Sequence, residues 1–166
     1  MSNTTLPLRI HSSVAESVID GPGIRFVIFT QGCPHHCHGC HNPQTHDFAG
    51  GHDATAEAMI TEILANPLLT GVTFSGGEPF YQPGPLAVIA RAVHAAGLDV
   101  VAYSGYTLEQ LVAMAKEDTA ISDLLSQIDL LIDGPFILAE RDLTLQFRGS
   151  RNQRLLGQAE IRQRTF

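Results

Sequence analysis

The sequence predicts an α/β fold: an incomplete parallel (β/α) barrel of roughly five units, formed by a single domain over residues 1–166. Short apolar, β-branched runs alternate with amphipathic helical patterns, and such alternation implies parallel strands joined by right-handed crossovers. A closed barrel of eight units typically needs about 250 residues, whereas this chain has 166. Glycine-rich and cysteine-rich stretches follow the predicted strands, which places them together at the carboxyl edge of one sheet.

Four buried strands are predicted by apolar runs that end at turn or loop residues. They lie at Arg25–Thr30 and at residues 72–74, 100–102 and 130–132, and a weaker candidate lies at residues 154–156. Residues 8–18 are only weakly patterned. Residues 31–53 show no periodicity and are long for a plain connection, so we expect them to form a functional loop.

Four helices are predicted between these strands by apolar residues at helical spacing. The first covers residues 55–66 and ends at Pro67, and the second precedes Gly97, which is a suitable C-terminal cap. Thr107 and Gln110 form a capping box that opens the third helix. The fourth is a shorter amphipathic stretch at residues 121–128.

Composition and charge narrow the range of functions. The hydrophobic fraction of 44% and the charged fraction of 16% are typical of a globular protein, and the net charge of -7 argues against nucleic-acid binding. The sequence shows no secretion signal and no apolar run of membrane-spanning length, so we expect no membrane association and a cytoplasmic location. Residues 141–166 differ from the rest, with six arginines against two acidic residues.

All three cysteines lie close together, at Cys33, Cys37 and Cys40. Thiolates are soft ligands that suit zinc, copper(I) or an iron-sulfur cluster. A four-iron cluster normally takes four cysteines, so three would leave one iron open to another ligand. Structural zinc is the alternative, since a nearby histidine could complete a Cys3His site; the candidates are His35, His36, His38, His41 and His46. A disulfide is disfavoured because it would strand the third thiol.

The predicted convergence of loops favours the open cluster over zinc. Gly76 and Gly77 directly follow a predicted strand, and glycines allow a bound organic ligand to approach the backbone closely. A structural zinc site has no need of such a turn at the mouth of the next strand. The sequence therefore predicts a cluster and an organic ligand at one sheet edge, with a zinc-stabilised binding module as the competing hypothesis.

Several motifs resemble those of a known enzyme family. Cys33-x3-Cys37-x2-Cys40 together with Gly76-Gly77-Glu78-Pro79 is similar to the radical S-adenosylmethionine enzymes. Asp20-Gly21-Pro22-Gly23-Ile24-Arg25 narrows the resemblance to the activases that install glycyl radicals. Further motifs, which together span nearly the whole chain, resemble the activases that serve anaerobic ribonucleoside-triphosphate reductases: Gln31-Gly32-Cys33, His41-Asn42-Pro43, Ser104-Gly105-Tyr106-Thr107, Asp133-Gly134-Pro135-Phe136 and residues 148–154.

The resemblance implies roles for particular residues. Cys33, Cys37 and Cys40 would ligate three irons of one 4Fe-4S cluster, and the amino and carboxylate groups of S-adenosylmethionine would chelate the fourth. The backbone at Gly76 and Gly77 would bind the methionine amino group, and Glu78 would shape this turn. Gly39, Cys40 and His41 would lie against the adenosine. Many relatives have an aromatic residue where this chain has Gly39, so His41 is the substitute candidate for stacking on adenine.

The implied activity is reductive cleavage of S-adenosylmethionine to a 5'-deoxyadenosyl radical, which takes hydrogen from a glycine of the large reductase subunit. A low-potential electron donor such as reduced flavodoxin is implied as a second partner. A homodimer or a heterotetramer with the reductase is compatible with the family.

The roles of several residues stay open at this point. Arg148, Arg151 and Arg154 are candidates for docking the reductase. Tyr103 and Tyr106 are interpreted as packing residues rather than radical relays. Asp133 could cap the end of a strand or contact the ligand. His11, His52 and His94 carry no motif around them and are interpreted as surface or core residues.

Overall fold

A computed structural model describes residues 6–40 and 42–165 of the protein. This part of the chain forms a mixed sheet with helices packed against it. The strands of the described part are β1 (Pro7–Ser17), β2 (Arg25–Thr30), β3 (His52–Thr55), β4 (Gly71–Gly76), β5 (Asp99–Tyr103), β6 (Leu130–Asp133) and β7 (Arg154–Gly157). The helices are α1 (Ala56–Leu64), α2 (Pro83–Ala95), α3 (Leu108–Ala115), α4 (Thr119–Ser126) and α5 (Gln158–Thr165). No helix in these ranges is long and apolar enough to cross a membrane.

The sheet confirms the predicted incomplete barrel of parallel strands. Its order is β3-β1-β2-β4-β5-β6-β7, and β2, β4, β5 and β6 are parallel neighbours connected through helices. The fifth predicted strand, β7, is present but runs antiparallel to β6. At the other end, β1 pairs antiparallel with both β2 and β3, so within the described residues β3 and β7 form the open edges.

The two faces of the parallel strands have different roles because successive side chains point to opposite faces. Phe26, Ile28, Val72, Phe74 and Val100 are fully buried in the main hydrophobic core beneath the helices. The alternate residues of the same strands, among them Arg25, Val27, Thr73 and Val101, are buried but lie outside that core. The second face therefore forms the interior of the incomplete barrel.

Local capping explains where the predicted helices begin. The Thr55 hydroxyl accepts a hydrogen bond from Ala58 N at the start of α1. Thr107 and Gln110 form the predicted capping box of α3, with side chain and backbone bonded in both directions. Gly97, which follows α2, has φ +81°, a left-handed conformation that glycine adopts readily.

The amino edge of the parallel strands is closed by a buried arginine. Arg25 is fully buried and donates to Thr73 Oγ1 at 2.7 Å, to Val72 O at 2.8 Å and to Asp99 Oδ1 at 2.5 Å. It also donates to Pro22 O at 2.9 Å, which ties the turn before β2 across the barrel interior. Gly21 is required there because a Cβ atom would lie 2.8 Å from Arg25 Cδ.

Three elements have no counterpart among the predicted ones. β1 lies in the stretch that is weakly patterned, and its pairing with β2 shows register shifts that interrupt regular alternation. β3 is a short edge strand of exposed or half-buried residues, so it has no apolar signature. α5 buries Ile161 and has no other apolar residue except the small Ala159, which leaves too few apolar positions for a helical period.

Candidate metal centre and ligand cavity

A cavity of about 880 Å³ opens at the carboxyl ends of the parallel strands. Its walls come from the segments that follow all four of these strands: the three cysteines after β2, Gly76 and Gly77 at the end of β4, Ser104 and Gly105 after β5, and Gly134 and Phe136 after β6. The predicted convergence at one sheet edge is confirmed. The remaining wall includes residues of β1 and of the segment Phe147, Arg148 and Gly149.

The loop that carries the cysteines is closed at its base by backbone hydrogen bonds. Gly32 N donates to Thr45 O at 2.7 Å, and Cys33 N donates to His46 O at 3.1 Å. The buried Gln31 side chain adds bonds from Nε2 to Gln44 O and Asp47 O. These contacts hold both arms of the loop together, so Cys33, Cys37 and Cys40 all reach the same cavity.

Burial affects the chemistry of the thiols. Cys33 is 7% exposed, and burial, with smaller contributions from the charges of Glu78, Cys37 and Cys40, raises the pKa of its thiol to about 11. Burial also raises the pKa of Cys37. At neutral pH these groups are therefore protonated thiols in the metal-free protein, and binding of a metal must release their protons.

The donor set fits an iron-sulfur cluster. Three sulfur ligands share one cavity, and thiolates are the usual ligands of such clusters. His35 and His46 also line this cavity. Among residues 6–40 and 42–165, no three His, Cys, Asp or Glu side chains converge closely enough to hold a single metal ion.

The turn after β4 needs both of its glycines. Gly76 has φ +92°, and a Cβ atom there would lie 2.6 Å from Thr30 N; at Gly77 it would lie 2.3 Å from Gly32 O. These close approaches accompany the hydrogen bonds from Gly77 N to Thr30 O and from Glu78 N to Gly32 O, both 2.8 Å. The turn is thus fastened directly to the start of the cysteine loop.

Glu78 is fully buried and does not line the cavity. Its carboxylate accepts hydrogen bonds from Phe80 N at 3.0 Å, from Gly105 N at 2.8 Å and from Ser104 Oγ at 2.9 Å. It also bonds to His35 Nε2 at 2.6 Å. Glu78 therefore connects the turn after β4, the segment after β5 and the cysteine loop.

The residues predicted to lie against adenosine do not all line the cavity. Cys40 lines the cavity, whereas Gly39 is exposed, is not part of the cavity wall and packs near Leu138. His41 lies outside the described residues. The cavity wall also contains Phe136, from the motif after β6, and two phenylalanines that the motifs did not single out, Phe29 and Phe147.

The two tyrosines lie in different surroundings. Tyr103 lines the cavity, and burial, followed by the charge of Asp20, raises the pKa of its phenol. Tyr106 packs against the hydrophobic core and edge-on against His35, with ring centroids 4.5 Å apart. The contacts of Tyr106 agree with its interpretation as a packing residue, whereas Tyr103 forms part of the cavity wall.

Asp133 and Arg154 form a structural pair. Asp133 is buried, accepts a hydrogen bond from Leu108 N at 2.7 Å and is bonded to Arg154 at 2.5 Å. Asp133 thus anchors the start of α3 and does not line the cavity. Arg154 also donates to both oxygens of Glu109, and these hydrogen bonds lower the pKa of Glu109 to about 2.

The three arginines considered for docking the reductase, Arg148, Arg151 and Arg154, differ in their contacts and exposure. Arg154 is bound to Asp133 and Glu109, while Arg148 lines the cavity and donates to Gln153 O at 2.7 Å. Arg151 is exposed. Of the histidines without a motif, His94 contacts Gln127 and Asp129 between α2 and the start of β6, and His52 is exposed on β3.

Comparison with known proteins connects this site to a family. The family described as "4Fe-4S single cluster domain" matches residues 19–156. The anaerobic ribonucleoside-triphosphate reductase-activating protein of Vibrio cholerae is 35% identical over 156 residues, which cover 88% of this chain and 96% of that protein. The pyruvate formate-lyase-activating enzyme of Clostridium pasteurianum is 44% identical over 95 residues, 54% of this chain and 40% of that enzyme.

Among solved structures, QueE from Escherichia coli aligns with 61% of this chain and 53% of its own at 18% identity, with a TM-score of 0.48. The family match covers every loop that lines the carboxyl edge, and the Vibrio cholerae relative is similar over nearly its whole length. The chain therefore belongs to the anaerobic ribonucleoside-triphosphate reductase-activating proteins and carries a 4Fe-4S single cluster domain.

Proposed function

We propose that this chain activates an anaerobic ribonucleoside-triphosphate reductase, using a 4Fe-4S cluster held by Cys33, Cys37 and Cys40 and one bound S-adenosylmethionine. When bound, the two cofactors supply a 5'-deoxyadenosyl radical that takes a hydrogen atom from a glycine of the reductase. The observation that carries the proposal is the shared cavity, which is lined by all three cysteines and by the turn at Gly76 and Gly77.

The protein would hold the cluster and the methionine end of the ligand through two adjoining segments. Three thiolates supply three of the ligands that a four-iron cluster takes, which leaves one position for the amino acid group of S-adenosylmethionine. An amino group is a hydrogen-bond donor, so backbone carbonyl oxygens at Gly76 and Gly77 would accept from it. Glu78 would keep this turn in place from beneath, since its carboxylate is buried and bonded on several sides.

The adenosine end would extend from Cys40 along the cavity wall. Gly39, Cys40 and His41 are the proposed contacts, of which Cys40 lines the cavity. The volume of about 880 Å³ is within the range of 300–1,000 Å³ usual for ligand sites.

The reductase would complete the pocket at its mouth. Val18 and Ile19 line the cavity and are 70% and 76% exposed, so apolar surface is available at the rim for a partner protein. Arg151 is the tail arginine best placed to contact that partner because it is exposed, whereas Arg154 is already paired. A low-potential donor such as flavodoxin would supply the electron, in the reducing cytoplasm that keeps the thiols free.

The proposal is tested by mixing the anaerobically reconstituted protein with reductase, S-adenosylmethionine and a reductant. We expect a glycine-centred radical on the reductase by electron paramagnetic resonance, and none when S-adenosylmethionine is omitted or when Cys37→Ala protein is used. A colourless protein with one zinc and no sulfide would contradict the proposal. A radical that forms on a pyruvate formate-lyase and not on the reductase would show that the partner is wrong.

A further inference from the structure

We propose that His35 is a positioning residue that fixes the cysteine loop to the ligand-binding turn, so that tight binding of S-adenosylmethionine depends on this one imidazole. The inference rests on the proposed function and extends it to a residue that is neither a thiol ligand nor part of the turn. His35 lies between Cys33 and Cys37 in the chain and lines the cavity.

The partner of His35 is a carboxylate whose position is already determined by other bonds. Glu78 is fully buried and is held by Phe80 N, Gly105 N and Ser104 Oγ. These donors belong to the segments after β4 and β5, so the carboxylate is fixed relative to the sheet. The bond of 2.6 Å from His35 Nε2 to Glu78 Oε1 therefore fixes the stretch between two cysteines relative to the same frame.

The structure also provides a fitted space for the imidazole ring. On one side lies Gly105, where a Cβ atom would be 2.3 Å from His35 Cδ2. The ring also contacts Tyr106, which meets the imidazole edge-on at 75° with ring centroids 4.5 Å apart. Any larger residue than glycine at position 105 would displace the ring. The arrangement thus constrains the orientation of His35 as well as its hydrogen bond.

Loss of the His35 side chain should weaken ligand binding more than it disturbs the fold of the cysteine loop. The base of the cysteine loop is independently closed by Gly32, Cys33 and their backbone partners, so loss of His35 leaves those bonds in place. What it removes is the side-chain link between the cysteine stretch and Glu78, the residue that directly follows Gly77. A site assembled from two segments requires both at the correct spacing, and small displacements reduce binding strongly.

The test uses anaerobically reconstituted protein with measured iron and sulfide contents. Affinity for S-adenosylmethionine is measured by calorimetry, and the resonance spectrum of the reduced cluster is recorded with and without the ligand. We expect His35→Ala to keep its iron but to bind S-adenosylmethionine about tenfold more weakly, the loss typical of one hydrogen bond to a charged group. Its spectrum should also respond less to the ligand.

Three further variants separate the hydrogen bond from packing. His35→Gln places an amide donor near the position of Nε2 and should restore affinity to within about threefold of the wild type. His35→Phe keeps the ring against Tyr106 but cannot bond to Glu78, so it should remain weak. His38→Ala changes an exposed histidine of the same loop and should behave like the wild type.

The outcomes are distinguishable. Wild-type affinity and spectrum in both His35→Ala and His35→Phe would overturn the role of His35 and leave the proposed function standing. If His35→Ala does not retain iron, His35→Phe decides by the same comparison. If the wild-type holoprotein itself binds no S-adenosylmethionine, the proposed function fails, and the role of His35 fails with it.

Discussion

The two ends of the parallel strands are built for different purposes. At the amino edge, Arg25 fills the barrel interior and bonds to Pro22, Thr73, Val72 and Asp99. At the carboxyl edge, the same face of the sheet opens into a cavity lined by thiols and glycines. A buried arginine therefore holds the amino edge together, whereas the carboxyl edge is open as a cavity, which is where ligands bind in parallel α/β enzymes.

The largest expected effect is at the carboxyl edge and concerns function alone. Cys37→Ala should abolish cluster assembly because only two thiols of the protein would remain. Cys37 is only half-buried, so the free energy of unfolding of the metal-free protein should change by less than about 0.5 kcal/mol. Iron and sulfide analysis after reconstitution, together with urea unfolding, checks both parts.

His38→Ala is the matched control for that variant, since it alters an exposed residue of the same loop. It should retain the full iron content. Normal iron content in Cys37→Ala would contradict the assignment of the three cysteines as cluster ligands.

At the amino edge, Arg25→Met should destabilise the protein and leave cluster assembly intact. The substitution leaves Thr73 Oγ1, three carbonyl oxygens and the Asp99 carboxylate without this donor, and we expect a loss of about 3 kcal/mol in unfolding free energy. The folded fraction should still assemble the cluster. Urea unfolding measures the loss, and iron content per folded chain tests the independence of the two ends.

The control for Arg25 is a surface pair of the same chemistry. Arg91 is paired with Asp123, and both side chains are more than two-fifths exposed. Arg91→Met should therefore cost less than about 1 kcal/mol. Equal losses in the two arginine variants would show that the amino edge is not a special source of stability.

A glycine at the carboxyl edge should have an intermediate effect. Gly76→Ala places a Cβ atom 2.6 Å from Thr30 N at a residue with φ +92°, and we expect a loss of about 2 kcal/mol. Gly84 in α2 has open space around it, so Gly84→Ala should stabilise the protein by about 0.5 kcal/mol. Thermal unfolding of the two variants measures both changes in stability. A Gly76→Ala protein as stable as the wild type would contradict the close approach between position 76 and Thr30 N.

Some elements of this fold could be predicted from the sequence, and others could not. The four parallel strands were predictable because each contains a short run rich in apolar and β-branched residues that are mostly buried on both faces. The convergence of the three cysteines with the glycine turn was predictable because both follow strands that end at the same sheet edge. β1 was not, because its bulges interrupt the alternation of residues.

The contacts that connect the loops of the site could not be predicted from local sequence patterns either. Ser104 and His35 lie 26 and 43 residues from Glu78 in the chain, so their convergence depends on the order of the strands. Arg154 shows the same limit: the basic tail suggested docking, but the fold brings Asp133 and Glu109 to this arginine. Only the three-dimensional arrangement separates it from the exposed Arg151.

The smallest expected effect is a pH dependence at the exposed Arg154–Glu109 pair. The folded-state pKa of Glu109 is lowered from 4.5 to about 2, so its stabilising contribution is complete above about pH 4.5 and is lost as the pH falls through about 2. Glu109 is 48% exposed, which limits the contribution to less than about 1 kcal/mol.

Urea midpoints of the wild type and Glu109→Gln, measured at pH 7, 4 and 2.5, check this pH dependence. The difference between the two proteins should shrink as the pH is lowered. A difference that is constant over this range would show that the charge of Glu109 does not contribute to stability.

The most direct test of the proposed function requires no partner protein. The anaerobically reconstituted protein is incubated with S-adenosylmethionine and excess dithionite, and 5'-deoxyadenosine and methionine are quantified. If the proposed cluster leaves one position open beside the glycine turn, both products form in equal amounts in the wild type and neither forms in Cys37→Ala. Absence of 5'-deoxyadenosine from wild-type protein that contains its full iron and sulfide would contradict the proposed function.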